Sequence, residues 1–207
     1  MFSVIGMLSA LLSREKTGKG QHLDLSVLDV KISLLTYMAT MQTLSGVNPE
    51  PIGNAHFVHV PYNSFTTKNG FVVIAVITDA FWQELLNIVD IDNLRKEEFQ
   101  SSTGRLQNQQ FIESELNKKL STETSEHWIN ALNSAKVPCA PINSFSQALS
   151  DEQVIHRNMV VEVEHPDGGK VKMPGNPIKP SYTDEDSFSP PPHLGQHTKD
   201  NLLDRCN

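Results

Sequence analysis

Apolar and polar residues alternate at two different periods in the first 45 positions of the chain. From Phe2 to Glu15 apolar side chains recur at helical spacing and cover nearly every side, so the pattern predicts a buried helix. A glycine within 17–20 suits the stop of that helix. The alternation from His22 to Val27 predicts a short strand, and Leu28 to Ser45 predicts a second long helix. Helix, strand and helix in this order are typical of the edge of an open α/β sheet.

The next stretch changes from regular periodicity to a loop and a hairpin. Prolines, glycine and asparagine interrupt Asn48 to Pro61, which predicts a connecting or functional loop. Tyr62 to Thr67 and Phe71 to Thr78 are rich in β-forming residues and flank Lys68-Asn69-Gly70, a strong hairpin signal. Asp79 is the expected cap of the helix that follows, whose apolar residues recur at helical spacing.

The remaining chain predicts short helices mixed with short strands. Val137 to Ile142 contains two prolines and is expected to be an edge strand or an extended link. Val161 and Val163 alternate with glutamates, and the turn 166–169 leads into a second apolar run. The tail from Ser187 contains three consecutive prolines and is expected to run over a surface. Helices are predicted over Arg105 to Leu120, about Thr124 to Ser134, Ser144 to Leu149 and Asp151 to Arg157.

Composition narrows the class of protein. The 207 residues are 38% hydrophobic, enough to form a core, and the 24 acidic against 17 basic residues give a net charge of -7. No basic block interrupts this charge, so nucleic acid is not an expected partner. The longest apolar run, Met1 to Leu12, is too short to span a membrane. Cys139 and Cys206 lie far apart, which argues against a disulfide framework or a cysteine-rich metal site and favours a cytoplasmic location.

The start of the sequence resembles the middle of a helix. The apolar pattern is already under way at Phe2, and no capping residue precedes it. No positive charge precedes the apolar run and no small-x-small cleavage site follows it, so it is not read as a leader. We therefore expect a chain truncated at its amino terminus.

Most local motifs favour ordinary structure over chemistry. Thr17 to Gln21 lacks the glycine spacing of a phosphate-binding loop and follows a helix, so a turn is expected. His56 and His59 are three residues apart but have no acidic third ligand nearby, and no metal site is assigned. No glycine elbow places a catalytic serine. Asp24 and Asp29 are better read as surface groups or caps than as catalytic acids.

The loop before the hairpin is the most unusual stretch. Gly53 allows the backbone to approach a ligand closely, and Asn54, His56 and Tyr62 supply hydrogen-bonding groups beside it. An ordinary inter-domain linker explains the same residues equally well on local pattern alone.

Longer motifs give the chain a family resemblance. Arg14 to Gln21, followed by Leu23 to Ser26 and Leu28-Asp29, resembles the central signature of the family III (CaiB/BaiF-like) CoA-transferases, which include formyl-CoA transferase and carnitine CoA-transferase. The similarity covers essentially the whole chain. Further matches follow in the same order at Gly53 to His56, Pro61-Tyr62, Val137 to Asn143, Val154 with Arg157 to Met159, Gly175 with Pro177 to Lys179, and Leu194 to Thr198.

The resemblance implies an α/β fold and a chain that is the carboxyl-terminal half of a longer one. Residues 1–50 would be part of a large Rossmann-like domain, and 51–175 would be the connecting loop and a small α+β domain. Residues 176–207 would return to the large domain. Two full-length chains of this family interlock into a homodimer.

The resemblance also implies the chemistry. In this family an aspartate attacks the thioester of an acyl-CoA, and the resulting anhydride is converted to an aspartyl-CoA thioester that an acceptor carboxylic acid resolves. That aspartate lies upstream of Met1, so no catalytic residue is assigned and the polypeptide is expected to be inactive alone. The substrates implied are an acyl-CoA and a carboxylic acid, with no metal or redox cofactor.

The implied substrate-binding residues are Gly53, Asn54, His56 and Tyr62, because their segment takes the place of the family's mobile glycine loop. His56 is expected to orient a substrate carboxylate. Two alternatives remain open: an α-methylacyl-CoA racemase, which shares the fold and uses an upstream acid/base pair, and a non-catalytic remnant or subunit that pairs with an amino-terminal half.

Overall fold

The computed structural model describes residues 1–165, 167–182 and 188–199, and the chain divides into two compact units. The helical unit comprises Met1–Phe57, and the mixed unit comprises Val58–Asn207. No helix within the described residues is both long and apolar enough to cross a membrane. Cys206, one of the two cysteines of the sequence, lies outside the described residues.

The first helix of the helical unit is confirmed. Helix α1 spans Phe2–Thr17 and ends at Gly18, which has a φ of 68°. The Gly18 amide donates to the Arg14 carbonyl across 2.8 Å, as expected for a left-handed glycine stop. Thr17 to Gln21 is therefore the end of a helix and a turn, as the spacing of its glycines predicted.

The predicted strand from His22 to Val27 is wrong. Residues 19–26 form neither helix nor strand, and the helical unit, which is described in full, contains no strand that could pair with them. Val27 already belongs to the next helix. The Ser26 hydroxyl caps that helix by accepting hydrogen bonds from the Leu28 and Asp29 amides.

The predicted helix from Leu28 to Ser45 is in fact two helices. Helix α2 spans Val27–Ser33 and helix α3 spans Tyr37–Ser45. Thr36 separates them with a φ of 47°, a backbone conformation that no helix accommodates and that β-branched residues rarely adopt. Gly46 ends α3 with a φ of 70°.

The expectation that the first helix is buried is also wrong for this chain. None of the residues 1–57 is buried, and the apolar side chains of α1 and α2 are largely exposed, with Leu12 at 66% and Val27 at 72%. An all-round apolar pattern shows that a helix needs a cover, but it does not show which part of a protein supplies that cover.

The mixed unit is built on a three-stranded antiparallel sheet. Strands β1 (Tyr62–Thr67), β2 (Gly70–Ala75) and β3 (Cys139–Pro141) lie in the order β1-β2-β3. The predicted hairpin is confirmed, but Gly70 pairs with Thr67, so the two-residue turn is Lys68-Asn69. This turn is held from outside the hairpin, because the Lys68 amide donates to the Glu123 carbonyl across 2.8 Å and the Asn69 side chain accepts from the Ser125 amide across 2.9 Å.

Helices cover this sheet. Helix α4 spans Asp79–Val89, and its cap is the Thr78 hydroxyl, which accepts from the Phe81 amide, and not Asp79 as predicted. The helix predicted over Arg105 to Leu120 starts earlier and is divided at Asn108, whose side chain donates to the Gly104 carbonyl across 2.9 Å. The resulting helices are α5 (Ser102–Gln107) and α6 (Gln109–Leu120), preceded by 3₁₀ turns at Asp92–Leu94 and Glu97–Phe99.

The later elements follow the prediction closely. Helix α7 spans Ser125–Ser134 and is capped by Thr124, α8 spans Phe145–Ser150 and is capped by Ser144, and α9 spans Glu152–His156 and is capped by Asp151. Strands β4 (Val160–Glu164) and β5 (Lys170–Pro174) form a separate antiparallel hairpin in which Val161 and Val163 are buried. Pro190 to Pro192 have no regular secondary structure, and Ser187, where the predicted surface tail begins, lies outside the described residues.

One hydrophobic core lies between the three-stranded sheet and its helices. Trp128 and Leu132 of α7 are both buried in it, and Leu85 joins them from α4. Phe81 and Ile88 are partly buried against it. Its largest fully buried side chains include Trp82, Phe65, Phe99, Ile74, Leu85, Leu86, Leu94, Ile112, Leu116, Leu120 and Leu132.

Candidate functional site

Three of the four predicted site residues lie in or next to one turn of the helical unit. The Ala55 amide donates to the Ile52 carbonyl across 3.3 Å, which closes a four-residue turn around Gly53 and Asn54. Gly53 has a φ of 66°, a conformation that side chains disfavour, and nothing lies within 4 Å of where its Cβ would be. The glycine is therefore required by the turn itself, and the backbone beside it is open. Asn54 is exposed and His56 is half-buried.

The fourth residue, Tyr62, belongs to the mixed unit. It is the first residue of β1, pairs with Ala75 on β2 and is half-buried. The structure thus places Gly53 and Asn54 on one turn, His56 just after that turn, and Tyr62 at the start of a strand.

The backbone just before Tyr62 is fixed from two sides. The Pro61 carbonyl accepts a hydrogen bond from the Val76 amide across 2.8 Å. The Val60 carbonyl accepts one from the Nε of Arg105 across 2.9 Å. Val60 and Pro61 are both buried, so the entry to β1 is part of the packed interior of the mixed unit.

Arg105 is a residue that the sequence did not indicate. Only 2% of it is exposed, and its side chain makes an ion pair with Asp79 across 2.7 Å. Its guanidinium also lies 5.4 Å from the centre of the Trp82 ring. An arginine within a helical pattern is normally read as a solvated surface residue, and no spacing in the sequence marks this one as buried.

Metal chemistry finds no support in the described part of the chain. It contains no group of three or more His, Cys, Asp or Glu side chains that could hold a metal ion. Cys139 is a half-buried free thiol whose Sγ lies 3.4 Å from the Asn133 side-chain oxygen, and burial raises the pKa of this thiol. A raised pKa keeps the thiol protonated near neutral pH, so Cys139 is a poor nucleophile.

Each unit has a cavity on its own surface. A groove of about 260 Å³ in the helical unit is lined by α1 and residues 20–23, mostly by apolar side chains with Arg14 at one end. A cleft of about 450 Å³ in the mixed unit lies between the β1–β2 turn, the start of α7 and residues 141–147. Polar groups of this cleft are paired within the fold, since Ser125 Oγ is 2.7 Å from Thr67 Oγ1 and Gln147 completes the Ser144 cap.

Comparison with known proteins identifies the family. Residues 1–198 match a family profile described as CoA-transferase family III. The chain therefore belongs to CoA-transferase family III, as the motifs around Arg14 to Gln21 and Gly53 to His56 indicated.

Curated relatives and a solved structure agree with this assignment. The chain is 30% identical over 200 residues to the succinyl-CoA:glutarate CoA-transferase of Mus musculus, covering 96% of this chain and 46% of that protein. It is 32% identical over 203 residues to the succinate–glutarate CoA-transferase of Agrobacterium fabrum, covering 95% and 50%. A CaiB/BaiF family protein from Brucella suis superimposes with a TM-score of 0.78 at 29% identity, covering 98% and 53%.

These comparisons confirm the predicted α/β fold class of the family. They also show that the chain spans about half the length of the curated relatives it matches.

Proposed function

We propose that this chain supplies the carboxyl-terminal half of an enzyme that moves coenzyme A from an acyl-CoA thioester to a carboxylic acid. The observation that carries this proposal is the family match over residues 1–198, together with relatives named as CoA-transferases. Those relatives favour acyl transfer over the racemase alternative, because both are named for transfer to an acid.

The proposed chemistry uses a covalent intermediate on an aspartate of the family. A carboxylate attacks the thioester carbonyl and the CoA thiolate leaves, which gives a mixed anhydride. The thiolate then attacks the aspartyl carbonyl of the anhydride, so that the donor acid is released and an enzyme-bound CoA thioester remains. The acceptor acid attacks this thioester, forms a second anhydride, takes the thiolate at its own carbonyl, and leaves as the new acyl-CoA with the aspartate free again. Splitting the transfer in this way replaces one difficult step by easier ones. The reactants must be held close and shielded from water, because a hydrated carboxylate is a weak nucleophile. We assign no nucleophile within residues 1–207.

The proposed contribution of this chain is to bind and orient substrate. The open backbone around Gly53 offers amide groups to a developing oxyanion, and Asn54 is exposed beside it. His56 is proposed to orient a substrate carboxylate, and Tyr62 is proposed as a further substrate-binding residue. The turn at Ile52 to Ala55 supports this assignment, because it holds Gly53 and Asn54 on one short, open segment.

We further propose a short dicarboxylic acid as acceptor. Both curated relatives are named for glutarate and for succinyl-CoA or succinate. A dicarboxylate presents one carboxyl group for reaction and a second one for recognition, and the second needs a hydrogen-bonding or cationic partner in the site. No metal or redox cofactor is part of the proposal, because the thioester itself supplies the reactive group.

We propose that the complete enzyme has two domains and pairs with a second copy of itself. Residues 1–50 would be part of the large domain, 51–175 the loop and small domain, and 176–207 the return to the large domain. Within that assembly the exposed apolar side chains of α1 and α2 would be covered by the amino-terminal half of the fold, and two complete copies would form a homodimer. A cytoplasmic location is proposed on the free thiol of Cys139.

The proposal is tested by a donor and acceptor panel. The chain is co-expressed with the amino-terminal half of the Agrobacterium fabrum relative and assayed with succinyl-CoA and with oxalate or glutarate. We expect glutaryl-CoA to form fastest. The matched control replaces the family aspartate in the added half by alanine and should abolish transfer. Exchange of a substrate α-proton with deuterated solvent, without transfer, would favour the racemase instead.

A further inference from the structure

The buried guanidinium of Arg105 is directed at the backbone next to a proposed site residue. Helix α5 carries Arg105 into the mixed unit, where 2% of the residue is exposed. A buried cation is tolerated only when its N–H groups are paired, because removing it from water is costly. The side chain of Arg105 therefore needs hydrogen-bond acceptors within the fold.

Two of the acceptors of Arg105 are close to it in the chain, and a third lies at the start of α4. Nη1 donates to the carbonyls of Phe99 and Gln100, each across 3.2 Å, at the end of the 3₁₀ turn just before α5. Nη2 donates to Asp79 at the start of α4 across 2.7 Å. The Asp79 side chain is 67% exposed, so this is the end of the network that faces water.

The fourth contact reaches far along the chain. Nε donates to the Val60 carbonyl across 2.9 Å, over a separation of 45 residues. The next residue, Pro61, has no amide hydrogen with which to anchor itself, and its carbonyl is bound instead by the Val76 amide. Val60 and Pro61 are thus each fixed by one hydrogen bond from a different part of the mixed unit.

These contacts lie directly before Tyr62, the first residue of β1. Tyr62 follows Pro61 directly and pairs with Ala75, the neighbour of Val76. If the Val60 carbonyl loses its donor, a buried acceptor is left unpaired and the backbone before Tyr62 has a reason to move. A small displacement of a substrate-positioning group has a large effect on rate or affinity.

We propose that Arg105 is a positioning residue that fixes Val60 and Pro61, and through them the orientation of Tyr62 at the substrate site. The inference rests on the proposed function for the role of Tyr62, but the placement of the backbone by Arg105 stands on hydrogen bonds within one unit. Arg105 itself contacts no substrate in this account. Its link to the network is the Nε bond to Val60, which lysine does not reproduce because its single ammonium lacks the planar fork.

The test compares two arginines of the same unit. Arg105→Lys removes the fork that reaches Val60. Arg95→Lys is the matched control, because Arg95 also donates to a main-chain carbonyl, Leu86 at 3.0 Å, and to an aspartate, Asp90 at 3.4 Å, but does not contact Val60 or Pro61. Asp79→Ala is a milder second variant that leaves the Nε donor in place.

The first readout is amide hydrogen exchange of Val76 in the full chain, which reports directly on the Pro61 carbonyl. The Ile112 amide, 3.1 Å from the Asn108 carbonyl in α6, reports the stability of the core. We expect Arg105→Lys to speed Val76 exchange by about tenfold relative to Ile112, and Arg95→Lys to leave the ratio unchanged. A parallel increase at both amides, or no change at either, would overturn the positioning role.

The second readout is the kinetics of the chain completed by the amino-terminal half. Arg105→Lys is expected to raise KM for the acid by about tenfold with kcat changed much less, and Asp79→Ala to have a smaller effect in the same direction. Equal kinetics in Arg105→Lys and Arg95→Lys would overturn the link to the site. An inactive wild-type assembly would count against the proposed function only, since the Val76 exchange needs no substrate and still decides the placement by Arg105.

Discussion

Trp128 donates its indole N–H to the carbonyl oxygen of Leu120 across 2.7 Å. This bond fastens α7 to the end of α6 inside the core, where only 3% of Trp128 is exposed. The second tryptophan, Trp82, is fully buried on α4, but its indole nitrogen has no hydrogen-bond partner among the described residues. Both rings therefore fill the same core, but the indole N–H of Trp128 is hydrogen-bonded and, within the described part of the chain, that of Trp82 is not.

This difference predicts unequal costs for the same substitution. Trp128→Phe removes ring volume and also leaves a buried carbonyl short of a donor, whereas Trp82→Phe removes ring volume together with an unpaired donor. We expect Trp128→Phe to lower the free energy of unfolding by about 1 kcal/mol more than Trp82→Phe does. Urea denaturation of the full chain measures both. An equal or larger loss in Trp82→Phe would contradict this reading of the core.

Gly104 shows a position where only glycine fits. A Cβ placed on it would lie 1.8 Å from the Glu98 carbonyl oxygen. This oxygen belongs to the main chain, so no side-chain rotation can relieve the clash. Gly104→Ala should therefore destabilise the mixed unit by about 3 kcal/mol. The control is Thr103→Ala, which also places an alanine in this helix, but at an exposed position. It should change stability by less than about 0.5 kcal/mol. Similar thermal midpoints for the two variants would show that the turn at Glu98 yields easily.

An ion pair crosses the β4–β5 hairpin. Lys170 Nζ lies 2.8 Å from Glu162 Oε1, and this hydrogen bond holds the pKa of Glu162 below its usual value and the pKa of Lys170 above it. The Glu162 contribution to stability is thus present above the usual glutamate pKa and is lost as pH falls through the lowered value. The Lys170 contribution is present below the usual lysine pKa and is lost as pH rises through the raised value.

Two lysine variants test which partner sets the Glu162 titration. Lys172 is directly opposite Glu162 in the hairpin but has the smallest effect on its pKa, whereas Lys170 has the largest. In an NMR titration of the Glu162 carboxyl group, Lys170→Gln should raise the pKa of Glu162 towards its usual value and Lys172→Gln should move it less. Equal shifts would show that proximity of charge, and not the hydrogen bond, controls the pair.

Alanine variants of two histidines, His56 and His59, test whether the proposed site depends on His56 itself or on the loop in general. His56→Ala should raise KM for the acid by about tenfold in the completed enzyme, because it removes the proposed partner of the substrate carboxylate. His59→Ala, an equally half-buried histidine of the same segment, is the control and should change KM by less. Unchanged kinetics in His56→Ala would remove His56 from the site.

Elements with strong local signals were predicted well from the sequence. The Asn-Gly hairpin, the Ser144 and Asp151 starts of α8 and α9, and the valine alternation in β4 all depend on residues close together in the chain. The absence of helix and strand over Asn48 to Pro61 was likewise predicted from its glycine and prolines, whereas its role in a site stays a prediction.

What the sequence missed depends on distant or absent partners. His22 to Val27 has a strand-like alternation, but a strand needs a neighbour, and residues 1–57 provide none. The break at Thr36 and the Lys68-Asn69 turn reflect backbone geometry and contacts more than 50 residues away, such as Asn69 with Ser125. Arg105 could not be found at all, because its burial follows from the meeting of α4, α5 and β1.

The most direct test of the central claim is CoA transfer by the chain alone and by the chain completed with an amino-terminal half of the family. With succinyl-CoA and glutarate, formation of glutaryl-CoA followed by mass spectrometry should be absent for the 207-residue chain alone and present for the completed enzyme. Transfer by the chain alone at the rate of the completed enzyme, or no transfer by a well-folded completed enzyme, would contradict the account.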